Sequence, residues 1–236
     1  MAIVARGICK SYGNKTVLKN VDLVIPDGAF CSIVAPTGAG KTTLLRILAG
    51  LERPDAGQVF YDNVDVTRVP VAKRNIAFVH QWFVNYPSMT VYENLAAPLR
   101  AAGYEAKRLD TRVRQVAELL RIDKLLSQRP HELSGGQQQR CSLARALVRE
   151  VKQIFLDEPL TNLDAKLQEE LCAELRSLFG GTRQGSAVYA TPQPTEALSL
   201  STSIALIDEG RIIQHGPTTE VSVSYTHLTL PTKRIV

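Results

Sequence analysis

One stretch limits what this chain can fold into more than any other: Ala35-Pro36-Thr37-Gly38-Ala39-Gly40-Lys41-Thr42-Thr43. It follows the apolar run Phe30-Cys31-Ser32-Ile33-Val34 and opens a helical pattern of Leu44, Leu45, Ile47, Leu48 and Leu51. A strand, a glycine-bearing loop and a helix beginning on Lys-Thr form the context of a phosphate-binding P-loop. Backbone N–H groups of residues 38–43 turn into one concavity in such a loop, and the helix N-terminus adds partial positive charge. Lys41 is then expected to reach the β- and γ-phosphates of a nucleotide, and the Thr42 hydroxyl to ligate Mg²⁺. One position departs from the pattern, because Ala35 stands where glycine opens it. A Cβ is harmless there only if the residue keeps a negative φ.

The remaining strand and helix signals place the loop in an α/β fold. Short apolar runs at Ile3-Val4-Ala5, Val17-Leu18 and 21–25, separated by Gly13-Asn14 and Pro26-Asp27-Gly28, predict that residues 1–34 form a small antiparallel β layer. Strands are expected at 58–61, 75–79, 154–156, 186–190, 204–207 and 211–214. From about Ser88 to Glu132 the period turns helical (Val91, Leu95, Leu109, Val113, Val116, Leu119, Leu120). With no linker composition around it, this reads as a helical insertion of the same domain. A second amphipathic helix starts at Asp164, with Leu167, Leu171, Leu175, Leu178 and Phe179 on its stripe and Gly180-Gly181 closing it. Strands alternating with helices around a P-loop give a mixed, largely parallel central sheet.

Composition narrows the function classes. Of 236 residues, 44% are hydrophobic and 22% charged, an ordinary globular balance. The net charge of +5 suits a phosphate ligand. Its basic residues are scattered without interleaved aromatics, which argues against nucleic acid. Cys9, Cys31, Cys141 and Cys172 lie far apart, so neither a zinc site nor a disulfide framework is expected. No secretory leader or membrane-length apolar run is present in the sequence, and a cytosolic setting is expected. Residues 222–236 lose the core pattern and read as foreign to the domain.

Two further constellations carry chemistry. Asp157 and Glu158 end a strand buried on both faces, where α/β sheets place their ligands. Their expected division of labour is Asp157 on the Mg²⁺ shell through water and Glu158 polarising an attacking water. Leu133-Ser134-Gly135-Gly136-Gln137 precedes a helix through Leu143, Ala144, Leu147 and Val148. Ser134 and Gln137 form a capping box, yet two glycines weaken a helix start by roughly 1 kcal/mol each. Close approach of an anion to exposed N–H groups is the expected reason.

With these residues in hand, Val4 to about Val221 resembles the ATP-binding domain of an ABC transporter, with the helical subdomain at about 88–150. Residues 133–137 are identical to that family's signature. The resemblance implies a head-to-tail dimer sandwiching two ATPs, each between one subunit's P-loop and the other's residues 134–137. It further implies that Tyr12 stacks on adenine, that Gln81 senses Mg²⁺ and a membrane partner, and that Leu160-Thr161-Asn162-Leu163-Asp164 is the D-loop. The runs 158–167 and 86–94 are most similar to the sugar and polyol importer ATPases, which usually continue into a C-terminal regulatory β domain. Implied partners are permease subunits and a second ATPase subunit, with the chain peripheral on the inner face of the membrane. The interval from Lys41 to Ser134 is too short for the long coiled-coil arm of a DNA-maintenance ATPase. One departure stands out: the family's Thr-His-Asp is Thr191-Pro192-Gln193 here. Proline offers no donor, so the resemblance implies slow hydrolysis at this chain's own P-loop.

Overall fold

A computed structural model of the chain describes residues 1–82, 84–161, 163–179 and 185–221. Expectations for Asn162, the Leu178 side chain, Gly180-Gly181 and the 222–236 tail fall outside the described residues. Two sheets face each other across helix α1 (Lys41–Ala49). The first contains β1 (Ile3–Tyr12), β2 (Lys15–Ile25), β4 (Ala56–Tyr61) and β5 (Val64–Asp65), antiparallel in the order β2-β1-β4-β5. The second contains β3 (Phe30–Val34), β6 (Ile76–Val79), β7 (Gln153–Asp157), β8 (Ser186–Thr191), β9 (Ser203–Asp208) and β10 (Arg211–Pro217), in the order β10-β9-β3-β8-β7-β6. Its pairings are parallel except β9 with β10.

Burial follows the two patterns. Every residue of β3, β7 and β8 is buried, as a parallel sheet covered on both faces demands. The β1 and β2 strands alternate buried and open positions. The expectation of one antiparallel layer over residues 1–34 is therefore corrected at its end. Residues 30–34 leave that layer and enter the parallel sheet between β8 and β9. Alternation reveals a strand but not its sheet, and the turn at Pro26-Asp27-Gly28 is where the chain changes layer.

On the opposite face of the parallel sheet lies a second core. It is built with α2 (Val91–Ala101), α3 (Ala106–Leu119), α4 (Gly135–Leu147) and α5 (Ala165–Phe179). Leu95, Val113, Leu143, Leu171 and Leu175 are buried in it. Thr90 and Glu93 close α2 with a capping box. A short helix α6 (Pro194–Leu200) packs Ala197 and Leu200 inward; its apolar stripe is too brief to stand out in the sequence.

One buried cation ties the antiparallel sheet to α1. The Arg74 guanidinium donates to the carbonyls of Val69 (2.9 Å), Leu48 (3.2 Å) and Val66 (2.5 Å). It also lies 5.7 Å from the centroid of the Tyr61 ring, whose hydroxyl donates to the same Leu48 carbonyl at 2.6 Å.

Candidate functional site

The carboxyl ends of β3, β7 and β8 are adjacent through the pairs Val34↔Thr191 and Asp157↔Ala190. The chain leaves β3 at Ala35, which is buried and keeps a negative φ, so its Cβ meets no conformational penalty. Pro36, Thr37 and Gly38 are exposed, Ala39 is half-buried and Gly40 is buried. Gly40, at φ 103°, is the N-cap of α1 and offers no side-chain cap. A non-glycine residue is strained there, and its Cβ would lie 3.0 Å from Leu18 Cδ2. The first N–H groups of α1 therefore depend on something other than a cap side chain.

Lys41, Thr42 and Thr43 form the first turn. The Lys41 ammonium is buried, donates to the Pro36 carbonyl at 3.0 Å and pairs with Glu158 Oε1 at 3.2 Å. The Thr42 hydroxyl donates to Asp157 Oδ1 at 2.8 Å. Glu158 directly follows β7 with φ 45°, a left-handed conformation that costs of order 1–3 kcal/mol for a non-glycine residue. Its N–H extends the ladder to the Ala190 carbonyl at 2.9 Å. Its Oε2 accepts from Gln81 Nε2 and Thr161 Oγ1, both at 3.4 Å. Residues 41, 42, 81, 157 and 158, expected to cooperate, thus lie in two adjoining groups, Thr42 on Asp157 and Lys41 with Gln81 on Glu158. Thr161, expected only as part of the run 160–164, joins Glu158 as well.

Burial pushes the Asp157 carboxyl above its ordinary range, opposed by the Thr42 hydrogen bond and the nearby Arg46 charge. A divalent cation would relieve that penalty. The donors fit Mg²⁺: a hydroxyl and a carboxylate are hard oxygen ligands, and Mg²⁺ keeps most of its shell as water and phosphate. Among the described residues no cluster of three or more His, Cys, Asp or Glu forms a self-sufficient metal cage.

Beyond β8, the Thr191 hydroxyl donates to Glu196 Oε2 at 2.6 Å and accepts the Gln193 N–H at 3.0 Å, pinning the turn that contains Pro192. The Tyr189 hydroxyl reaches the same Glu196 oxygen at 2.7 Å. This buried carboxylate was not anticipated from the sequence. Tyr12 ends β1 half-exposed; burial first, and then its hydrogen bond to Glu52, push its phenol above the usual range.

Residues 134–137 stand apart. Ser134 caps α4, accepting the Gln137 N–H at 3.4 Å, while Gln137 Oε1 accepts the Ser134 N–H at 2.9 Å. Among the described residues, no hydrogen bond or ion pair joins this cap to the P-loop. The two glycines also part company. A Cβ on Gly135 would meet nothing within 4 Å, whereas one on Gly136 would lie 2.1 Å from Leu167 Cδ2. Gly136 thus also lies against the Leu167 side chain of α5. Asp164 accepts the Leu167 N–H at 3.0 Å and caps α5.

Comparison with known proteins places this geometry. A family model described as "ABC transporter" matches residues 18–161. The spermidine/putrescine import ATP-binding protein PotA of Photobacterium profundum is 40% identical over 229 residues, covering 96% of this chain and 60% of that protein. The trehalose/maltose import ATP-binding protein MalK of Thermococcus litoralis is 41% identical over 223 residues, 91% of this chain and 59% of that protein. The chain therefore spans about three fifths of the length of these curated relatives, and their named cargoes extend from sugars to polyamines. A dimeric post-hydrolysis structure of the ATP-binding cassette MJ0796 bound to ADP and Pi matches with a TM-score of 0.82 at 28% identity. It covers 92% of this chain and 98% of that one. By this match, the chain belongs to the ABC transporter family and has the fold of its ATP-binding cassettes.

Proposed function

We propose that this chain is the ATP-binding and ATP-hydrolysing subunit that powers an importer, with residues 1–221 as the cassette and about 88–150 as its helical subdomain. The observation that carries the reading is the grouping of Lys41, Thr42, Asp157 and Glu158 at the ends of β3 and β7. The N–H groups of residues 38–43 and the Lys41 ammonium bind the phosphates. Thr42, Asp157 through water, and Gln81 hold Mg²⁺, which supplies charge neutralisation on the phosphates when bound. The Glu158 carboxylate, held by Lys41, Gln81 and Thr161, orients and polarises a water. Tyr12 stacks on the base. A partner's Ser134, Gly135, Gly136 and Gln137 cover the nucleotide from the other side.

The proposed setting is peripheral, on the inner face of the cell membrane against permease subunits, without nucleic acid. Among the described residues no helix is long and apolar enough to cross a membrane. We assign the cargo to carbohydrates or polyols, on the resemblance of runs 86–94 and 158–167 to that importer group. The 222–236 tail is assigned as foreign to the cassette.

Pro192 favours a second reading, a cassette that binds nucleotide and turns it over slowly. Loss of one preorganised donor reduces the rate by roughly 10²–10³. A second, different ATPase subunit then provides the competent P-loop, and this chain provides residues 134–137. Steady-state ATPase assays on the chain alone, with the second subunit, and on Pro192→His separate the two. The asymmetric reading expects weak turnover alone, strong turnover with the partner, and a gain of roughly 10²-fold from histidine. Brisk turnover by the unmodified chain alone overturns it.

A further inference from the structure

The strand end that carries Tyr12 is stitched to the segment just beyond α1. The Tyr12 phenol donates to Glu52 Oε1 at 2.5 Å. The Lys10 ammonium lies 3.4 Å from that same oxygen and 3.1 Å from Asp55 Oδ1, and donates to the Arg53 carbonyl at 2.9 Å. It also stands over the Tyr12 ring, 5.5 Å from the centroid. The Ser11 N–H donates to Asp55 Oδ2 at 2.7 Å, and the Asp55 N–H to the Cys9 carbonyl at 2.9 Å. Glu52 is fixed in turn, because its N–H and that of Leu51 bond the Arg46 carbonyl where α1 closes.

The ring is thus held at its hydroxyl and backed on one face, yet remains 49% exposed. An aromatic at a hairpin tip would otherwise spread over rotamers, and ordering it during binding would subtract from affinity. Resting on the nucleotide reading of the P-loop, we infer that Glu52 and Lys10 are positioning residues for Tyr12. Glu52 fixes the phenol, Lys10 backs one ring face, and the free face is a preset platform for the base of a purine nucleoside triphosphate. Neither residue touches the phosphates in this assignment. Their effect is confined to the base.

Titrating the folded chain with Mg-ATP and with Mg-tripolyphosphate separates base from phosphate. Glu52→Gln and Tyr12→Phe each weaken Mg-ATP about 3- to 10-fold. Because they act through one contact, the double variant is no weaker than the worse single. Tyr12→Ala, which removes the platform, loses about 5- to 100-fold. Tripolyphosphate affinity stays unchanged in all of them, and Lys10→Met gives the same pattern at smaller amplitude. Thermal unfolding checks that each variant is folded. A Glu52→Gln chain that weakens both ligands alike, or neither, overturns the positioning role. A wild-type chain that binds neither ligand, or a Lys41→Met chain unchanged toward tripolyphosphate, overturns the phosphate-site reading and this inference with it.

Discussion

The helices α1 and α4 start from similar sequence and end in different states. Each opens beside a pair of closely spaced glycines. At α1 the cap is Gly40 in a left-handed conformation, with no side chain to satisfy the first-turn N–H groups. At α4 the cap is Ser134, and a reciprocal bond with Gln137 answers two of those donors from within the chain. Behind α1 stands a buried polar group of Lys41, Asp157 and Glu158; behind the start of α4 stands Leu167. Glycine near a helix start is therefore not one device. In the first case it leaves donors open to a ligand, and in the second it lets two helices approach.

The sharpest way to break this comparison is to remove the polar side chain from each start. Lys41→Met is expected to weaken Mg-ATP binding by about 100-fold, the scale of losing hydrogen bonds to a charged group. Ser134→Ala in the isolated chain leaves that affinity within about twofold and costs about 1 kcal/mol of stability as a lost cap. Equal losses of affinity in the two variants would erase the distinction.

Smaller effects come from the glycines of α4. Gly136→Ala crowds the end of the half-buried Leu167 side chain, which can turn aside, and is expected to destabilise by no more than about 1 kcal/mol in urea unfolding. Gly135→Ala meets open space and is expected to stabilise by about 0.5–1 kcal/mol through helix propensity. Part of the Gly136→Ala loss returns on adding Leu167→Ala. Two glycines that behave alike would contradict the packing account.

The smallest expected effect is a pH dependence at Asp157. Burial raises its folded pKa above the unfolded value. The penalty of the ionised carboxylate is therefore present above the folded pKa and fades as pH falls through it. Asp157→Asn accordingly raises the Tm slightly at neutral pH, the gain shrinking toward acid. Differential scanning calorimetry across pH measures it. The same variant should lose any stabilisation by Mg-ATP. A gain that grows toward acid would reverse the assigned cause.

These contrasts mark where the sequence was legible. The P-loop and the Asp157-Glu158 strand end are readable because their chemistry sits on consecutive residues with flanking periodicity. The α5 stripe is readable because Leu171 and Leu175 repeat at helical spacing. What was missed depends on contacts between distant segments. Gly136 meets Leu167, Tyr12 meets Glu52, and Glu196 gathers Tyr189 and Thr191. No local pattern encodes such pairs. The layer change at β3 escaped for the same reason, since its partners β8 and β9 lie far along the chain.

Arg74 has a mechanical consequence. Its guanidinium joins carbonyls at the edge of the antiparallel sheet to the Leu48 carbonyl of α1, so sliding one past the other would strand a cation in a dry interior. Sheet and helix are riveted into a single plate. The segment after β5 and the last turn of α1 then shift as one body instead of slipping past each other.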